Sequence, residues 1–142
     1  MSAPQLRAAV AADAPAVLEF WSAAAEDSHR PADSVDAVRR LIARDPDALL
    51  LAVDGERIVG SVIAGWDGWR CHIYRLAVDP GRRRQGIGRA LIAWAERRFA
   101  DLGGGRSDAM VLDPNERAHQ VWARAGYRRQ DEWSRWVKPL PR

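Results

Sequence analysis

At 142 residues, 47% of them hydrophobic, the chain has the length and apolar content of one globular domain spanning residues 1–142 and is short for two. Its 22 basic side chains face 19 acidic ones for a formal charge of +3, a mixed balance that argues against a nucleic-acid partner. The lone Cys71 excludes an intrachain disulfide and a cysteine-based zinc cluster; with no bilayer-length apolar run and no secretory signal in "MSAPQLRAAV", the expectation is a cytoplasmic protein with no membrane partner.

In chain order, "QLRAAV" alternates weakly and reads as a first edge strand. Asp13, Ala14 and Pro15 signal a helix start, with Asp as N-cap and Pro in the first turn, and that helix carries Leu18 and Trp21. After the polar "EDSHRPADS", a second helix begins at Ser34 or Asp36 and gathers Val35, Val38, Leu41 and Ile42 on one face. Leu49 to Val53, an Asp54-Gly55 turn and Ile58 to Ala64 make a β-hairpin. "WDGWR" turns the chain again, and "CHIYRLAV" is a strand ended by Asp79-Pro80. The next helix holds Ile87, Leu91, Trp94, Ala95 and Leu102 at helical spacing and stops at the glycines 103–105. "DAMVL" reads as a short buried strand, Asn115 to Ala125 as a last helix closed by Gly126, and "YRRQDEWSRWVKPL" as a closing hairpin.

The chemistry concentrates at "RRRQGIG", residues 82–88, where a strand hands over to a helix. The first amides of a helix lack intrahelical partners and sit at the positive end of its dipole, so they bind anions, and glycines let a ligand approach the backbone closely. Arg82, Arg83 and Arg84 would add charge-assisted bonds to phosphate oxygens; the competing reading is a solvated arginine surface. Two nucleotide fingerprints fit poorly, because Leu91 stands where a dinucleotide loop needs its third glycine and no Gly-Lys-Ser/Thr follows.

The run Arg83-Arg84-Gln85-Gly86-Ile87-Gly88, preceded by "LAVDP", resembles the acyl-CoA phosphate loop and fourth strand of the GNAT superfamily of N-acyltransferases. A second element of that family's pattern is matched by Asn115, Ala118, Gly126 and Tyr127. The resemblance implies an α/β fold: a mixed, mostly antiparallel twisted sheet of six to seven strands, flanked by about four helices, with the fourth and fifth strands splayed apart. It implies acetyl-CoA as co-substrate, with the amides from Arg84 to Arg89 cradling the diphosphate and the strand edge Leu76, Ala77, Val78 pairing with the pantetheine arm. Asn115 would contact the pantetheine or a phosphate, or cap its helix, or both.

Transfer of an acetyl group to an amine needs an uncharged amine, an oxyanion donor and stabilisation of the departing thiolate. A backbone N–H near Leu76 to Val78 would serve the oxyanion. By the resemblance, His72 stands where several relatives carry a catalytic glutamate; imidazole titrates near neutrality and suits a base or water-positioning role. Strand alternation puts Tyr74 on the face of His72, whereas the adjacent Cys71 points the other way and cannot pair with it as a nucleophile. Seven residues beyond Asn115, many relatives carry a tyrosine that protonates the thiolate, whereas this chain has Trp122, whose indole donates a hydrogen bond but gives up no proton. Two readings therefore stand: an N-acetyltransferase, or a CoA-binding sensor with little turnover.

In the family the acceptor enters opposite CoA. The residues expected to reach it are Phe20, Trp21 and Glu26, then Trp66, Asp67 and Trp69, then Trp133 or Trp136, an aromatic wall with carboxylates suited to a cationic or apolar amine. His29 and His119 have no carboxylate at ligand spacing, so no metal is expected. The segments "GWDGWR" and "IYRLAV" resemble those of small stand-alone bacterial acetyltransferases, in which a homodimer is a common assembly.

Overall fold

The structure, a computed structural model, describes residues 3–24 and 32–141. The chain divides into two compact units, Met1–Val111 and Leu112–Arg142. The first holds a sheet in the order β1 (Gln5–Ala8), β2 (Leu49–Asp54), β3 (Arg57–Trp66), β4 (Cys71–Val78), β5 (Ser107–Ala109), antiparallel throughout except for the parallel pair β4–β5. It also holds the helices α1 (Ala14–Ala24), α2 (Val35–Arg44) and α3 (Ile87–Asp101).

β2 is buried from Leu49 to Val53 because both of its faces are covered. Leu49, Leu51 and Val53 join Val17 and Trp21 of α1 and Val38 and Ile42 of α2 in one core. On the other face α3 lies so close to β3 that a Cβ at Gly60 would sit 2.9 Å from Ile87 Cγ2 and 3.1 Å from Leu91 Cδ1. Ser34 caps α2, its Oγ accepting the Ala37 N–H at 3.0 Å. Asp13 turns back instead of capping α1: its carboxylate accepts the Val10 N–H at 2.7 Å and pairs with Arg7 at 2.8 Å.

A bulge on β4 re-aims its side chains. Ser61 faces Ala77 and Ile63 faces Tyr74, so β4 carries one extra residue there, and Arg75 takes a left-handed φ of 51°. The slip puts His72 and Tyr74 on the same face as Ala77. The Arg75 carbonyl accepts the Ser61 hydroxyl at 2.8 Å, and Ser61 Oγ accepts the Trp21 indole N–H at 2.9 Å. The Arg75 guanidinium lies 4.9 Å from the Trp21 ring centroid and pairs with Asp33 at 2.6 Å.

Two expectations are corrected. The sheet of the described residues has five strands, not six to seven, because "YRRQDEWSRWVKPL" forms no hairpin, and Pro139 has no N–H for a ladder. The strand expected over "DAMVL" covers Ser107–Ala109 and is half-buried, as befits the sheet's edge. The second unit contains α4 (Glu116–Arg124), ended at Gly126 with φ 93°.

Candidate functional site

The β4–α3 junction is a tightly organised bend. Asp79 opens a single 3-10 turn, Pro80–Arg82, with its Oδ1 accepting the Gly81 N–H at 3.0 Å and its Oδ2 accepting Arg57 at 2.7 Å. The Gly81 amide, and after it the Arg57 guanidinium, holds the Asp79 carboxyl below the usual carboxylate range against the opposing effect of desolvation. Arg84 (φ 65°) and Gly86 (φ 83°) are both left-handed, and α3 starts at Ile87 with the Ala90 N–H donating to the Gly86 carbonyl at 3.0 Å. Nothing lies within 4 Å of a Cβ built at Gly86, so the glycine answers to backbone conformation and leaves open space over the α3 amides. Gly88 and the exposed Arg89 follow in that first turn.

The three arginines are not equivalent. Arg82 is buried, its Nη1 donating to Asp54 Oδ2 at 2.9 Å and its Nε to Gln85 Oε1 at 3.0 Å, so Arg82 is turned inward rather than toward a ligand and it occupies the Gln85 side chain. Arg83 is half-buried and Arg84 exposed.

Beside the bend, β4 pairs with β5 only at Cys71, His72 and Ile73 but runs on to Val78. From Tyr74 through Leu76, Ala77 and Val78 it has β3 on one side and, among the described residues, no strand on the other. The edge expected to be freed by splaying of the fourth and fifth strands is thus open, here because β5 ends at Ala109. The His72 and Tyr74 rings lie 6.0 Å apart, tilted by 43°, with His72 half-buried and Tyr74 exposed. Gly65 makes room for this pair, since a Cβ there would approach Tyr74 Cε2 to 3.2 Å. The parallel register sets Asp108 opposite His72. Asp67 accepts the amides of Arg70 at 2.7 Å and Trp69 at 2.8 Å; these bonds hold its carboxyl below the usual range, and His72 adds a smaller contribution. Cys71 packs on the opposite face from His72, where burial pushes its thiol pKa up.

Of the residues expected at the acceptor, Trp21 is in the core under the Arg75 guanidinium, with Phe20 packed against the same core. Trp69 is 76% exposed, with the Arg70 guanidinium 5.7 Å from its ring centroid. Trp66 pairs with Cys71, and a Cβ at Gly104 would meet its ring at 3.5 Å, so the sheet does not bring Trp66 together with His72. Glu26 lies outside the described residues. In the second unit, Asn115 caps α4, its Oδ1 accepting the Ala118 N–H at 3.1 Å. Trp122 is buried and meets Tyr127 edge-on at 4.9 Å, while Trp133 and Trp136 are exposed. Among the described residues no three His, Cys, Asp or Glu side chains are grouped to hold a metal ion.

Sequence reasoning missed Asp54, Arg57, Gly60, Ser61 and Arg75. Only Gly60 carried a signal, because a glycine inside a strand marks a bulge or the close approach of another element. The others depend on residues brought together across the sheet.

The family model for the acetyltransferase (GNAT) family matches residues 14–127. The acetyltransferase ECA0875 of Pectobacterium atrosepticum is 32% identical over 120 residues, 84% of each chain. Acetyltransferase SG1711 of Sodalis glossinidius is 33% identical over 94 residues, 66% of each chain. Among solved structures, Ard1 from Thermoplasma volcanium superposes with a TM-score of 0.75 over 88% of this chain and 82% of its own. At 18% identity, that likeness concerns the fold alone.

Proposed function

The chain belongs to the acetyltransferase (GNAT) family, and from that premise we propose that it is an N-acetyltransferase acting on a primary amine, in a small molecule or at a peptide N-terminus or lysine. The observation that carries this reading is the left-handed bend at Arg84 and Gly86, which opens the α3 amides beside the one-sided edge of β4. That donor set fits acetyl-CoA: backbone N–H groups for the diphosphate, an unpaired strand edge for the amide-bearing pantetheine arm, and open space where a side chain would otherwise stand.

Bound acetyl-CoA would supply the acetyl group as a thioester for direct attack by an uncharged amine: a C–N bond would form, the C–S bond would break, and the departing thiolate would take a proton from water and leave as free thiol. The amides from Arg84 to Arg89 hold the diphosphate, with Arg83 and Arg84 adding charge. A β4 N–H between Leu76 and Val78 donates to the developing oxyanion, a contribution of about 3 kcal/mol in comparable sites. His72 accepts the amine proton directly or through water, with Tyr74 beside it. Asp67 and Trp69 favour a cationic acceptor, and Trp21 acts beneath the surface by seating Arg75. Asn115 and Trp122 enter this reading on the motif alone. We place the reaction in the cytoplasm; no helix among the described residues is long and apolar enough to cross a membrane. A homodimer belongs to the same proposal.

The test is calorimetry with CoA and thiol release from acetyl-CoA across a panel of amines, polyamines, aminoglycosides and peptides. Gly86→Glu, which sets a carboxylate at the diphosphate, is expected to abolish CoA binding. Unchanged affinity overturns the loop assignment, and tight CoA binding without turnover on any acceptor selects the sensor reading.

A further inference from the structure

We propose that Arg82 is a positioning residue for the CoA loop, held by Asp54 of the β2–β3 turn, so that this turn governs how firmly the loop grips the diphosphate. The inference rests on the reading of residues 83–89 as the CoA loop. Arg82 is only 9% exposed although the residues around it in the bend are half-buried or exposed. A guanidinium keeps its charge on burial and must be compensated. Its bonds run in two directions, Nη1 to Asp54 at 2.9 Å and Nε to Gln85 at 3.0 Å, so it spans the bend from the residue before Arg83 to the residue before Gly86.

A second pair runs alongside in the opposite sense, from Arg57 of the turn to Asp79 of the loop at 2.7 Å. Asp54 and Arg57 are register partners closing the hairpin, so the turn offers one acid and one base to a base and an acid of the loop. All four line one cleft of about 320 Å³ together with Gly81. What the clamp holds is costly: Arg84 is a non-glycine residue at φ 65°, a conformation that surrounding structure must impose.

The rival is that Arg82 binds phosphate itself. Calorimetric CoA affinity at two salt concentrations, with hydrogen exchange of amides 83–89 in the CoA-free protein, separates the two for Arg82→Met, Asp54→Asn and the double variant. Both single variants are expected to bind CoA roughly tenfold more weakly, the double variant no more weakly than the worse single. The salt dependence should stay that of the parent, exchange in the bend should rise in all three, and Asp54→Glu should restore affinity. Wild-type affinity in Asp54→Asn, with weaker binding and a shallower salt dependence in Arg82→Met, would make Arg82 a phosphate ligand and overturn the proposal; unchanged affinity in both overturns it as well. Should Arg82→Met fail to fold, the Asp54→Asn and Asp54→Glu pair decides, because the Asp54 side chain is 40% exposed. A parent protein with no CoA affinity, or Gly86→Glu binding like the parent, is a separate signature that removes the loop assignment itself.

Discussion

Trp21 and Ser61, 40 positions apart, meet inside the core, the indole N–H donating to Ser61 Oγ at 2.9 Å. The same hydroxyl donates to the carbonyl of Arg75, the bulged residue of β4, at 2.8 Å. A bulge takes a residue out of the ladder, and one buried serine supplies its carbonyl with a donor while satisfying the tryptophan. The position of His72 and Tyr74 relative to Ala77 follows from that bulge.

Ser61→Ala removes the acceptor of the buried Trp21 N–H and one donor to the Arg75 carbonyl. A buried polar group left unpaired costs about 1–3 kcal/mol, so a loss of roughly 1–3 kcal/mol is expected in denaturant unfolding. A loss below about 1 kcal/mol would show that the bulge is held by other means.

Gly60→Ala would put a methyl group 2.9 Å from Ile87 Cγ2 and 3.2 Å from Ala52 Cβ. Either the Ile87 and Leu91 side chains or the start of α3 must then shift, and on the proposed reading the loop amides shift with the helix. We expect about 1–3 kcal/mol lost in stability together with weaker CoA binding by calorimetry; wild-type affinity would separate the seating of the helix from ligand recognition.

A Cβ at Gly104 would come within 2.3 Å of Cys71 Sγ and 3.1 Å of the Phe99 carbonyl. Gly104→Ala is therefore expected to lower stability by about 3 kcal/mol or more, and Cys71→Ala in the same chain to recover part of it. Additive losses in thermal melts would place the strain on the carbonyl instead of the thiol.

If His72 takes the proton, His72→Ala lowers kcat by about 10²-fold or more and flattens the acidic limb of the kcat/KM profile. Tyr74→Phe should keep that limb. A variant profile superposing on the parent's, scaled only in height, would take His72 out of the proton path.

The Asp79 carboxyl titrates below its ordinary range in the fold, so its ionised form stabilises the native state. That contribution is complete above the unfolded carboxylate value of about 4 and is lost as pH falls through the lower folded value. Denaturation of Asp79→Asn between about pH 5 and pH 2 should show a shallower decline than the parent. Parallel curves would mean that the Gly81 and Arg57 contacts do not persist in solution.

What the residues determined unaided was local. Ser34 capping α2, the Asp54-Gly55 turn, the end of β4 at Asp79-Pro80 and the glycine opening α3 all depend on neighbours within a few positions, so their chemistry is legible along the chain. The bend from Arg83 to Gly88 is legible for the same reason, since a glycine and its neighbours set it; the main-chain binding belongs to the proposed function. The "YRRQDEWSRWVKPL" expectation failed because a two-stranded hairpin is marginal by itself, and the segment's own residues do not say whether other elements will support it.

Only the tertiary structure decided which way each arginine turned. Arg82 and Arg84 look alike in a row of three, yet Arg82 is drawn inward by Asp54, 28 positions earlier, while Arg84 stays exposed. The bulge at Arg75 likewise rests on Ser61 and Trp21 from other elements. A buried charge or carbonyl is settled by whatever group the folded chain brings within hydrogen-bond reach, and sequence spacing does not encode that distance.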